Sequence, residues 1–260
     1  MEFEHAVSLG AWCQVDYQLR RHFKKRTMSC FESLVTPWPG LMEVLKDGPT
    51  ELGVSVTENR YANAAECLKY GILLPHEFPK GPQEEVIFSR AAFINISDKL
   101  RHKHEKMLRT LSHCEGPVLF VRYGGNALPA GAWPYCNEPD PFDLRRVDEL
   151  CTLLSRCFPM LNFRLLFAYE AETTKIMNEA VELDKRITIA PIDRRNDYSR
   201  WQGSDLLWDG LFTRETTKIV AYRGARRSAE TKAPAPLPKS PEKAATQRVW
   251  RLPNFFRSER

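Results

Sequence analysis

The stretch from Pro117 to Asp193 decides the fold: PVLFVRYG (117–124), FDLRRVDELCTLLSRCF (142–158), FRLLFAYE (163–170), ETTKIMNEAVEL (172–183) and RITIAPID (186–193). Three short apolar runs, rich in Val, Ile, Leu and Phe, alternate with two longer polar segments. In 142–158 apolar residues recur at 147, 150, 153, 154 and 157, the spacing of one helix face. Runs that are apolar throughout, separated by amphipathic helices, predict a parallel sheet buried on both faces. A helix is also expected over 172–183.

Working back towards the N-terminus, AVSLG (6–10) supplies one more strand, and QVDYQLRRHF (14–23) a helix directly after it. The expected fold class is therefore α/β: a three-layer domain with a mostly parallel sheet and helices on both faces. LMEVLKDG (41–48) reads as a short helix introduced by Pro37 and Pro39 and ended by Gly48. Residues 49–82 read as short strands and loops. FSRAAFINISDKLRHKHEKMLRTLSHC (88–114) reads as a long amphipathic helix, with a stripe through Leu100, Met107, Leu108 and Leu111.

Towards the C-terminus the periodicity fades beyond Tyr222, and APAPLPKSPEK (233–243) has the composition of a disordered linker. The division is then a single α/β domain over 1–222 and a largely disordered, basic, Pro-containing tail over 223–260. The formal charge of +5 is concentrated in that tail. Ten Lys/Arg against three Asp/Glu after residue 222 leave the domain itself mildly acidic. No nucleic-acid recognition motif accompanies the charge, so no dedicated nucleic-acid binding is expected, although the tail suits an acidic partner.

At 260 residues and 43% hydrophobic content the chain can build a substantial core. It has no transmembrane run, and acidic residues precede the first apolar segment where a secretory signal would carry Lys or Arg, so a cytoplasmic protein is expected. Seven cysteines, at 13, 30, 67, 114, 136, 151 and 157, form no CxxC pair. Reduced thiols are expected, with no metal and no cofactor.

Cys13 stands out among them. It follows a strand and a glycine turn and opens a helix, where unpaired backbone N–H groups and the helix dipole favour a thiolate. A cysteine nucleophile also needs a base. Of six histidines, His5, His22, His102, His104 and His113 read as solvated. His76, between GILLP and Glu77–Phe78–Pro79, has a defined setting as base or as a strand-end residue bonded to a carbonyl. Gly10 and the helix start are candidates to stabilise an oxyanion. Arg122, at the end of its strand, is a candidate for a carboxylate, phosphate or sugar, or for an internal ion pair, and Asn126 follows in a Gly-Gly-Asn turn. Asp193, Asp197 and Asp205 are candidates to orient His76. Trp201 and Trp208, seven apart, read as packing residues.

VSLGAWC, FESLVTP, LPHEF and VLFVRY, in that order over about residues 6–210, resemble a bacterial family of papain-like cysteine peptidases, the DUF1796 group. The resemblance implies a thiol-dependent hydrolase with Cys13 as nucleophile and His76 as general base. Cys30, Glu32 and Ser33 stand where the family's segment has Pro, Asp and Trp, and Glu77 replaces the Asp beside the histidine. Two other readings stay open: an α/β enzyme or binding protein of glycan metabolism, taking a sugar or nucleotide sugar at Arg122, and a non-catalytic interaction protein acting through its tail.

Overall fold

A computed structural model describes residues 3–24, 26–59, 63–124, 142–171, 176–177, 180–192 and 203–226, the last eleven as backbone alone. The chain begins with β1 (His5–Ser8), α1 (Cys13–His22) and α2 (Trp38–Asp47). Three short strands follow, β2 (Val56–Asn59), β3 (Ala64–Cys67) and β4 (Leu73–Leu74), and then α3 (Arg90–Ser112). β5 (Val118–Gly124), β6 (Phe142–Asp143), α4 (Arg145–Cys157), β7 (Phe163–Glu170), β8 (Ile176–Met177), β9 (Ile187–Ile192) and α5 (Asp205–Arg226) complete it.

The central sheet has the order β1-β5-β7-β9 and is parallel throughout. Alternate residues of each strand feed two separate cores. Val7, Val118, Phe120, Leu165 and Phe167 pack towards α2, α3 and α4, whereas Ala6, Leu119, Val121, Leu166 and Ala168 pack towards α1 and α5. The three-layer arrangement read from residues 117–193 is the one observed. β2, β3 and β4 form a small antiparallel sheet, which the bridge between Val35 and Leu73 ties to the segment before α2.

Local signals account for the helix ends. Pro37 caps α2, and Gly48, at φ 79°, closes it where a side chain would be strained. Ser89 caps α3, its Oγ accepting from Ala92 N–H at 3.1 Å, a contact worth about 1 kcal/mol.

Two expectations need correction. ETTKIMNEAVEL does not form a helix in its described residues: Ile176–Met177 is a strand pairing in parallel with Phe142–Asp143, and residues 181–184 are irregular. Helical propensity is a weak preference that tertiary pairing overrides. Helical backbone also extends past residue 222, where the periodicity of the sequence fades, since α5 runs from Asp205 to Arg226. The tail beyond it lies outside the described residues.

Candidate functional site

The chain leaving β1 keeps company with β5 for three more residues. Leu9 N–H donates to Val121 O at 2.9 Å, Tyr123 N–H to Gly10 O at 3.1 Å, and Ala11 N–H to Tyr123 O at 3.4 Å. Thr36 N–H then donates to Ala11 O at 2.9 Å. The turn into α1 is thus held between the end of β5 and the segment before α2. It lies beyond the carboxyl end of the sheet, where open parallel sheets bind ligands.

Arg122 is the clamp of this junction. It is fully buried; its Nη1 donates to Leu9 O at 2.9 Å and its Nη2 to Thr36 O at 2.8 Å. Its guanidinium lies 5.6 Å from the Trp38 ring, and Trp38 packs edge-on to Phe142 and Phe167. Gly10 sits at φ 78°, and a Cβ there would come within 3.0 Å of both Arg122 Nη1 and Thr36 Cβ. Gly10 therefore serves close packing around the clamp. The two end nitrogens of Arg122 are engaged by carbonyls inside the fold, so the side chain positions the junction.

Cys13 is the first residue of α1 and is half-buried. Trp12 caps the helix without a side-chain hydrogen bond, and N–H groups in a first turn have no intrahelical acceptor. The expectation of a lowered thiol pKa is overturned. Burial pushes the Cys13 thiol up, the Asp16 carboxylate adds to this, and the backbone N–H groups of Cys13 and Gln14 only partly offset them. The carboxylate sits one turn along the same helix and is itself bonded to Arg20 and Arg26. Cys13 is thus a neutral thiol at pH 7.

Buried polar atoms sit on the segments around the junction. Thr36 Oγ1, beside Gly10, has no hydrogen-bond partner among the described residues; nor have Gln14 Nε2 and Trp208 Nε1, which meet beside Gly203. Buried polar groups without partners are few in native proteins and mark places where function competes with satisfaction.

His76 lies in the turn after β4 and is exposed. No hydrogen bond joins it to Cys13 among the described residues. Its neighbours fix the turn: Glu77 pairs with Lys99 at 2.6 Å, and Phe78 packs on Phe88 and Phe93. Asp205 is occupied at the start of α5 by Gln18 Nε2 at 2.9 Å and by Arg21 at 3.2 Å, so it does not orient His76. Trp208 is fully buried in the core, as read. Asn126, Asp193, Asp197 and Trp201 lie outside the described residues.

The sequence reading missed a Cys–His contact. His104 is buried, and its Nδ1 lies 3.7 Å from the Sγ of fully buried Cys30. Burial drives Cys30 up to about 12 and lowers His104. Both groups are therefore neutral, and the contact is a hydrogen bond inside the core. Three other histidines read as solvated are also engaged: His22 with Asp209 at 2.7 Å, His5 with Thr27 at 2.9 Å and His113 with the Arg109 carbonyl at 2.8 Å.

Comparison with known protein families, curated proteins and solved structures gives no match for this chain. No helix among the described residues is long and apolar enough to cross a membrane.

Proposed function

We propose that the β1–α1 junction is an active site for acyl transfer to water or another acceptor, with Cys13 as nucleophile and His76 as general base. The observation that carries this reading is the position of Cys13. It is a half-buried thiol on the first residue of a helix, beyond the carboxyl end of a parallel-sheet strand, and the next residue, Gln14, carries a buried side-chain nitrogen without a hydrogen-bond partner among the described residues.

The raised pKa fits a thiol that gives up its proton during attack. Cys13 Sγ bonds to the acyl carbon, and the thiol proton passes to the base. The carbonyl oxygen takes the electron pair and meets the N–H groups of Cys13 and Gln14 at the helix start. Collapse expels the leaving group with the proton returned by the base, and water then cleaves the thioester. Support for His76 comes from connectivity. Thr36 holds Ala11, Val35 bridges Leu73, Trp12 packs with Val35 and Leu73, and His76 follows three residues later. Catalytic hydrogen bonds commonly tighten only when substrate binds.

The reading is tested with p-nitrophenyl acetate. An acetyl group should appear on Cys13 in preference to Cys114 and Cys157, the other half-buried thiols described, and Cys13→Ser should abolish it. Equal acetylation of the three thiols would remove the basis for an active site here.

A further inference from the structure

A second cluster of reactive groups lies at the opposite, amino end of the sheet, where the chain enters β1 and where α3 hands over to β5. Glu4 N–H donates to Pro117 O at 2.8 Å, so these two segments run side by side. Glu4, His5 and Cys114 each place one ligand atom within 4.8 Å of the other two. We propose that these three residues bind one divalent transition-metal ion of borderline softness, with zinc as the natural occupant, through a carboxylate oxygen, an imidazole nitrogen and a thiolate sulfur. The proposal is independent of the acyl-transfer reading and concerns residues that reading does not use.

The donor set selects the metal. Carboxylate, imidazole and thiolate are the three protein ligands of zinc, at roughly 2.0–2.3 Å, and magnesium or calcium would not take sulfur. Two ligands on a tetrahedral zinc stand roughly 3.5 Å apart by that geometry. Cys114 Sγ and Glu4 Oε2 are already 3.4 Å apart. The scattered cysteines gave no spacing signal for a metal, because the ligands come from two chain segments more than a hundred residues apart.

Neighbouring groups orient the ligands. Gly116 N–H donates to Glu4 Oε2. A side chain at Gly116 would collide with the Glu4 carboxylate and its Cβ, so the glycine permits this close approach. Thr27 Oγ1 lies 2.9 Å from His5 Nδ1 and steadies the imidazole ring. Such partners fix the ring and typically govern metal affinity. Charge also balances, since one carboxylate and one thiolate neutralise a divalent cation. On binding, the Cys114 S–H bond breaks, its proton goes to the buffer and an S–metal bond forms.

The test is a cobalt(II) titration of the full-length, chelator-stripped protein, read by the near-ultraviolet thiolate-to-cobalt absorption. One equivalent should bind and be displaced by zinc. Cys114→Ser should lose the band, Thr27→Val should weaken binding roughly 10–100-fold, and Cys13→Ser should leave the titration unchanged. Far-ultraviolet circular dichroism confirms that each variant is folded, and Glu4→Gln provides a second ligand loss should Cys114→Ser unfold. A wild-type protein that takes up neither cobalt nor zinc, or a band that survives Cys114→Ser or Glu4→Gln in folded protein, would overturn the site.

Discussion

Cys13 and Cys30 flank the end of the same strand and are both neutral thiols raised by burial, yet they differ in exposure and in their neighbours. Cys30 follows Ser29, whose Oγ donates to Ser8 O at 2.7 Å. It has a histidine at 3.7 Å, no exposure, and a pKa of about 12. Cys13 lies past the same strand end on the first residue of α1, is half-exposed, and has no histidine in hydrogen-bond contact among the described residues. The difference teaches that proximity to an imidazole does not make a nucleophile. In a dry core, burial costs the thiolate and the imidazolium more than their mutual attraction returns, so the pair stays neutral. In the proposed reaction access and a helix start matter more for Cys13, and a base must be brought to it.

The largest expected effect separates the two thiols directly. In native protein Cys30 should react with iodoacetamide at least about a thousandfold more slowly than Cys13, because its exposure requires opening of a core that carries the folding free energy. Peptide mapping over time measures both rates; comparable rates would erase the contrast. Next in size is the clamp. Arg122→Met removes both donors to Leu9 O and Thr36 O, and should cost roughly 2–4 kcal/mol in urea unfolding. An unchanged midpoint would show that the junction needs no clamp.

A smaller effect belongs to the Cys30 side. His104 is held below its ordinary 6.5 by burial, so between the folded and unfolded values the unfolded chain binds the extra proton. Stability should therefore fall as pH drops below about 6.5, and His104→Leu should remove that part of the slope. Urea midpoints from pH 7 to 5 measure it; identical slopes in the two proteins would contradict a buried neutral imidazole. The smallest effect concerns the helix that carries Cys13. Asp209, on α5, accepts from Arg21 and His22 of α1, and the Arg21 hydrogen bond holds its carboxyl below 3.8. Its contribution is present above about pH 3.8 and is lost as pH falls through the folded value. Because the carboxylate is 40% exposed, Asp209→Asn should cost only about 0.5 kcal/mol or less at neutral pH, checked by thermal unfolding.

The contrast also marks what the sequence makes legible. PVLFVRYG and FRLLFAYE are apolar throughout because both faces of a central strand are buried, and that pattern revealed the parallel sheet and its three layers. ETTKIMNEAVEL misled because the pairing of Ile176 with Phe142 is a long-range contact that no local pattern contains. His104 was hidden by its charged neighbours Lys103 and Glu105, yet Ile96, Leu100, His104, Met107 and Leu111 share one buried helix face. That stripe was the available signal. The position of Cys13 at a helix start was readable, whereas its raised pKa was not, since burial arises from segments distant in sequence. Arg122 read as a ligand or as half of an internal ion pair, and its bonds to the carbonyls of Leu9 and Thr36 show it to be a clamp on the backbone.

The central claim is that a neutral Cys13 thiol delivers its proton to His76 as it attacks an acyl carbon. The most direct measurement is the rate of acetyl transfer from p-nitrophenyl acetate to Cys13 against pH, in wild type and in His76→Gln. The wild type is expected to transfer the acetyl group already at neutral pH, below ionisation of the thiol, and the variant to slow there by roughly 10²–10⁴. Superimposable profiles, both rising only with ionisation of the thiol above pH 9, would contradict it.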